Sequence, residues 1–175
     1  HEYDVDHQGD TPTSGRLLIR SNRRHANFDL FETAIDQPNE QHWQALLSGD
    51  DAHYLMGHVA FADAVVVCLR IDGLDQIQIL SAKGTQQVNF PEPAYSLDLG
   101  TNPNYHSDTL RIAYTSMVTP RTEFDYHWQT DSLKTLKVQE IPGGFDPTDY
   151  ISQRLEVKAR DGSNVPMSVV RHKNT

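Results

Sequence analysis

The strongest constraint on this chain is the length and spacing of its apolar runs. They are short, rich in Val, Ile, Leu, Tyr and Thr, and punctuated by Gly, Pro, Asn and Asp. That pattern reads as strands rather than helices. The expected strands are Tyr3–Asp6, Arg16–Arg20, Phe28–Thr33, Trp43–Leu47, Tyr54–Phe61, Ala64–Ile71, Gln76–Leu80, Gln86–Phe90, Tyr95–Leu99, Thr109–Ser116, Thr122–Trp128, Thr135–Glu140, Ile151–Ala159 and Val165–Arg171. Leu110-Arg111-Ile112-Ala113-Tyr114 alternates with a period of two, one side in and one side out. No segment sustains a 3.6-residue period, although Gln41–Leu47 has room for one or two helical turns.

The runs recur in groups. A tyrosine opens a strand at Tyr3, Tyr54 and Tyr95, and a strongly apolar second strand follows at Leu17, Val65 and Leu110, spaced by 48 and then 45 residues. Each group then turns through a polar segment: Asn22-Arg23-Arg24-His25, Asp72-Gly73-Leu74-Asp75 and Thr119-Pro120-Arg121. Four antiparallel strands in a period of about 40–50 residues is the signature of propeller blades. One such sheet cannot cover its own two faces, so neighbours must stack. The expected fold is all-β: three blades over residues 1–50, 51–92 and 93–141, a sector of a ring rather than a closed one. Residues 142–150, with Pro142-Gly143-Gly144-Phe145-Asp146-Pro147, read as a linker. Residues 151–175 read as one hairpin of a second domain, turning at Arg160-Asp161-Gly162-Ser163-Asn164.

Composition narrows the function. The chain carries 24 Asp+Glu against 15 Lys+Arg, a net charge of -9, which argues against a general nucleic-acid binder. No apolar run reaches the roughly 20 residues of a membrane-spanning helix. The start, His1-Glu2-Tyr3-Asp4, has neither the basic nor the apolar region of a signal peptide. The expected location is the cytoplasm, with the periplasm left open. Cys68, the single cysteine, sits in a Val run and reads as a small buried hydrophobe. No cofactor is expected. Nine histidines form no His-x-His or His-Glu-x-x-His pattern, and His53 and His58, five apart, are expected on opposite faces of one strand.

Several stretches resemble the oligopeptidase B branch of the prolyl oligopeptidase family. They are Asn89-Phe90-Pro91-Glu92-Pro93-Ala94-Tyr95, then Asp108 to Pro120 with Phe124-Asp125-Tyr126, then Glu140 to Tyr150. Arg154-Leu155, Ala159-Arg160-Asp161-Gly162 and Val165-Pro166 are similar to the first hairpin of that family's α/β-hydrolase domain. The resemblance is dense from Asn89 to Lys173 and looser before it, where Gly9 to Ser14 looks like an insertion. It implies a seven-bladed propeller over a serine peptidase that cleaves short peptides after basic residues, with the catalytic Ser, Asp and His further along the chain. No Gly-x-Ser-x-Gly elbow occurs in these residues. The remaining blades and the peptidase domain are the implied partners, and the piece alone is expected to be inactive.

Within that reading, Asp4, Asp6 and Asp98 on innermost strands are candidates for steering basic peptides. Gly143 and Gly144 are the candidate hinge. Uncovered end faces lead to an expectation of self-association. The rival reading is a free-standing β-rich module binding a glycan or protein partner, with Trp43 or Trp128 as stacking platforms. Arg23-Arg24 reads as a solvated turn.

Overall fold

The computed structural model describes residues 1–175. It contains fourteen strands and two short 3-10 turns. The first sheet has the order β1 (Tyr3–Gln8), β2 (Arg16–Ser21), β3 (Asp29–Ala34), β4 (Gln44–Leu47). The second is β5 (His53–Ala60), β6 (Ala64–Ile71), β7 (Leu74–Ser81), β8 (Gly84–Val88). The third is β9 (Tyr95–Leu99), β10 (Thr109–Ser116), β11 (Thr122–His127), β12 (Ser132–Val138). A two-stranded hairpin, β13 (Tyr150–Lys158) with β14 (Asn164–His172), follows. Each four-stranded sheet is a meander of antiparallel neighbours, and none closes on itself. This is the expected all-β set of three blades plus a hairpin.

The chain clusters into two compact units. One comprises residues 1–71, 76–88 and 103–108; the other comprises residues 72–75, 89–102 and 109–175. In the first unit, Leu18, Phe28 and Leu30 of the first sheet form one core with Leu55, Val65, Val67 and Leu69 of the second. Alternation explains the choice. Val65, Val67 and Leu69 are successive odd positions of β6 and therefore share one face. Val66 is as buried as they are, so β6 is apolar on both sides and needs cover on each. In the second unit, Leu110 and Ile112 of β10 are fully buried, and Tyr114 nearly so, on the face shared with Leu97 and Tyr126.

Several strand ends differ from the sequence-based expectation. β1 runs on to Gln8 because it pairs in unbroken register with β2 down to Arg16. β12 starts earlier, at Ser132, because Asp131 takes a positive φ of 51° and turns the chain tightly. The Tyr126 hydroxyl donates to the Asp131 carboxylate at 2.7 Å and holds that turn. Trp43 does not open β4. It ends the 3-10 turn Glu40–His42, its indole N–H donates to the Pro38 carbonyl at 3.0 Å, and its ring lies 5.5 Å from Phe31. Trp128 is buried, which removes it as a stacking platform.

The two faces of the first sheet are unequal. Tyr3 (71%) and Val5 (51%) stand exposed on one face of β1. Leu30→Ala, a truncation in the shared core, is expected to cost about 2–5 kcal/mol. Val5→Ala is expected to change stability by less than about 0.5 kcal/mol. Urea unfolding followed by circular dichroism checks both.

Candidate functional site

The first sequence-predicted residues, Asp4 and Asp6, fall on one face of β1, the face shared with Gln8. Their rungs on β2 are Arg20 and Leu18, and Leu18 belongs to the shared core, so this face looks onto the second sheet. Arg20 is the hub of that seam. Its Nη1 lies 3.5 Å from the Asp4 carboxylate, its Nε donates to the Leu55 carbonyl at 2.9 Å, and its guanidinium sits 3.7 Å from the Phe28 ring centre. Asp4 is thus partly neutralised, while its side chain remains 54% exposed. Asp6 accepts from the His7 backbone N–H at 2.8 Å. Further along the same face, the buried Gln8 amide donates to the carbonyls of Phe61 and Ala64 at 2.5 and 3.2 Å. Its oxygen accepts from Arg16 at 2.7 Å, and Arg16 in turn pairs with Glu32. Asp98 lies on β9 in the other unit, exposed, with Ala113 as its rung on β10. Asp4 and Asp6 therefore share a face; Asp98 is a separate surface carboxylate.

His58 also lies on this seam, which sequence reasoning missed. A β-bulge at Met56 puts two β5 residues against one rung, so Leu55 pairs with Leu69 but Gly57 pairs with Cys68. His53 pairs with Ile71 and His58 with Val67, both odd positions of β6, so the two histidines share a face. This corrects the expected opposite facing: the extra residue cancels one step of alternation. His53 is held by the Asp50 carboxylate at 2.7 Å. Both ring nitrogens of His58 are buried without a hydrogen-bond partner. Burial pushes its pKa below the ordinary imidazole value of 6.5, against the opposing pull of Asp4 and Asp6; Arg20 adds to the downward shift. No group of His, Cys, Asp and Glu in the structure has the arrangement of a metal site.

In the second unit the Asn89 to Tyr95 stretch has a clear physical role. Glu92 accepts hydrogen bonds from the hydroxyls of Ser116 and Thr119, at the end of β10 and in the turn after it. Phe90, Tyr95 and Tyr114 pack ring to ring at 5.2–5.4 Å beside it. Burial and the Glu92 charge push the Tyr114 hydroxyl far above its ordinary pKa, so it stays protonated, although its oxygen is buried without a hydrogen-bond partner. The carboxylate thus ties the approach to β9 to the β10–β11 turn.

The segment between β12 and β13 is exposed throughout, yet most of it is fastened. The Gln139 N–H donates to the Arg121 carbonyl at 2.8 Å, which holds the near side to the blade. On the far side, the Phe145 ring stacks 5.5 Å from Tyr150, and Asp146 accepts from the Thr148 N–H at 2.8 Å. Between them stand Gly143 (φ 92°) and Gly144 (φ 86°), closed by a 3.2 Å bond from the Gly144 N–H to the Ile141 carbonyl. Two successive residues in this region of φ favour glycine strongly.

Two measurements follow. His58→Leu is expected to remove part of the acid sensitivity of folding. With its pKa depressed in the folded chain, His58 takes up more protons unfolded, so its contribution falls as pH drops through 6.5 and levels off below the folded value. Unfolding free energies of the variant and parent chain, measured between pH 8 and 5 (about the window in which histidine changes charge), are expected to diverge on the acid side. Separately, Gln8→Leu is expected to cost about 1–3 kcal/mol, because it removes the buried amide's bonds to the Phe61 and Ala64 carbonyls and to Arg16, and thermal melting checks this.

Comparison with known proteins places this geometry. Residues 1–139 match the model of the prolyl oligopeptidase N-terminal β-propeller domain. Dipeptidyl aminopeptidase BI of Pseudoxanthomonas mexicana is 33% identical over 99% of this chain and 24% of its own length. Protease 2 of Moraxella lacunata is 28% identical over 96% of this chain and 23% of its own length. The structure of oligopeptidase B from Leishmania major superposes with a TM-score of 0.84 at 30% identity, covering 99% of this chain and 25% of that one. Oligopeptidase B from Trypanosoma brucei, with covalently bound antipain in a closed form, gives 0.85 at 24% identity over the same shares, a likeness of fold. The chain spans about a quarter of the length of these relatives. Its three meander sheets, which lie within the matched residues, are thus those of a prolyl oligopeptidase N-terminal β-propeller, and the chain belongs to the prolyl oligopeptidase family of serine peptidases.

Proposed function

We propose that this chain is the filtering part of a serine oligopeptidase that hydrolyses short peptides after basic residues. The observation that carries this is the 30% identity and 0.84 TM-score to an oligopeptidase B, sustained through the linker and into the hairpin. In this reading the remaining blades and a peptidase domain complete the molecule. The exposed Tyr3 and Val5 face is covered by a preceding blade, or by a second copy when that blade is absent. The acyl transfer runs on a Ser-His-Asp constellation outside these residues. The blades exclude folded proteins by size and admit flexible peptides. Asp4, Asp6 and Asp98 contribute negative potential that concentrates basic peptides, an effect screened by salt.

Opening is a turn of the peptidase side about Gly143 and Gly144. The fastened residues on either side support this, because rotation is left mainly to the two glycines, Pro142 being fixed in φ by its ring. Where lid motion limits turnover, stiffening the hinge lowers kcat.

The test uses the full-length protein and fluorogenic peptides with blocked N-termini. Cleavage is expected after Arg or Lys and not after Pro; a preference for Pro, or a demand for a free N-terminus, overturns the basic-residue reading. Gly143→Ala with Gly144→Ala is expected to lower kcat about tenfold, about 1.4 kcal/mol in the barrier. Unchanged kcat removes the hinge from the rate-limiting step.

A further inference from the structure

Within the first compact unit, β1 and β5 are edge strands of their sheets and pack against each other. Two bonds fix their relative height. Arg20, the rung of Asp4, donates to the Leu55 carbonyl at 2.9 Å, and Gln8 donates to the Phe61 carbonyl at 2.5 Å. Asp6 is midway between Asp4 and Gln8, as His58 is midway between Leu55 and Phe61. The two side chains therefore stand at one level of the seam. They also face each other. Asp6 shares a rung with Leu18 of β2 and His58 shares one with Val67 of β6, and Leu18 and Val67 belong to the one core between the sheets.

His58 enters this seam with nothing to bond. Both its ring nitrogens are buried without a hydrogen-bond partner. A neutral imidazole has one donor and one acceptor, and leaving them buried and unmatched is costly. The charged groups facing it are few. β1 contributes Asp4 and Asp6, and β2 contributes Arg20, with Arg16 beyond it bonded to Gln8 and paired with Glu32 of β3. β6 presents only Val65, Val67, Leu69 and Ile71 on this side. On β5 itself, His53 is already held by Asp50. Asp4 is engaged with Arg20, which would also repel an imidazolium there. Asp6 takes a bond from the His7 N–H, and a carboxylate has about four acceptor directions.

We propose that His58 is a proton-operated switch on Asp6. A proton gained from solvent gives the ring a second N–H and a positive charge. One N–H then donates to the Asp6 carboxylate across the seam and cancels its charge. In the neutral state that charge is left to act on a passing cation. Burial opposes the charged ring, so the switch works on the acid side of the ordinary imidazole value. Its consequence, weaker capture of basic peptides in acid, rests on the steering role given above to Asp6; the pairing itself rests on the seam. His58 is a positioning residue that acts through Asp6.

The experiment follows the titration of His58 by NMR in the full-length protein carrying carbon-13-labelled histidine, with His58→Gln identifying its signal. Asp6→Asn is expected to lower the midpoint by about one pH unit, a tenfold loss of proton affinity. Asp6→Glu, which keeps the charge, is expected to stay near the parent midpoint. Circular dichroism at neutral pH checks that each variant is folded. A midpoint that Asp6→Asn leaves in place overturns the switch. The second readout is KM for an N-terminally blocked Arg peptide between about pH 8 and 5. On the acid side the parent's KM is expected to rise about twofold above that of His58→Gln, relative to their values at the alkaline end. Coincident acid limbs overturn the effect on capture. The alkaline end separates the two ideas. If Asp6→Asn leaves KM unchanged there while the midpoint moves, the steering role fails and the His58–Asp6 pair stands. If KM rises there and the midpoint does not move, steering stands and the switch fails.

Discussion

A four-stranded antiparallel sheet with apolar side chains on both faces is unstable by itself, and every other feature of this chain answers that constraint. β6 shows it most sharply, with Val65, Val66 and Val67 all hidden. In the first unit the answer is a second sheet laid against it, with Leu18 and Leu30 supplying the apolar cover. Apolar contact alone has no direction. The orientation of the two sheets is fixed by polar groups that can be satisfied in only one arrangement: the Gln8 amide on two carbonyls, the Arg20 guanidinium on the Leu55 carbonyl, and the Leu55 N–H on the Asn27 carbonyl. Burial supplies the driving force and these bonds supply the register.

Much of the architecture was legible because strand spacing and turn residues are local signals. The three four-stranded groups and the Asp161-Gly162 hairpin rest on such signals, and each corresponds to a sheet of the fold. The facing of side chains was less legible. Asp4 and Asp6 lie on β1, a strand that the local pattern marks, but which sheet they look upon depends on a neighbour about fifty residues away. Glu92 was visible only as part of a family motif. Its bonds to Ser116 and Thr119 join positions 24 and 27 residues apart, and no periodicity announces such a pairing.

The two joints in the chain are built on opposite principles. The Glu92 corner gathers hydroxyl donors around one carboxylate and packs aromatic rings beside it, so nothing there is left to move. The Pro142 to Gly144 segment is fastened just outside its two glycines and hardly at all within them. Strong, short-range bonds next to a bare pair of glycines concentrate rotation at one point, whereas a long polar linker would spread it over many residues.

The bulge at Met56 has a bearing on how related chains are compared. The strand reads in one phase up to Leu55 and in the other from Gly57 onward. Counting inward and outward positions from Tyr54 alone assigns His58 to the wrong side, whereas counting from its partner rung at Val67 assigns it correctly. A homologue that lacks the extra residue needs a one-residue gap here for its cross-strand partners to line up. Without that gap, equivalent side chains on the far half of the strand will look like substitutions when they are only displaced.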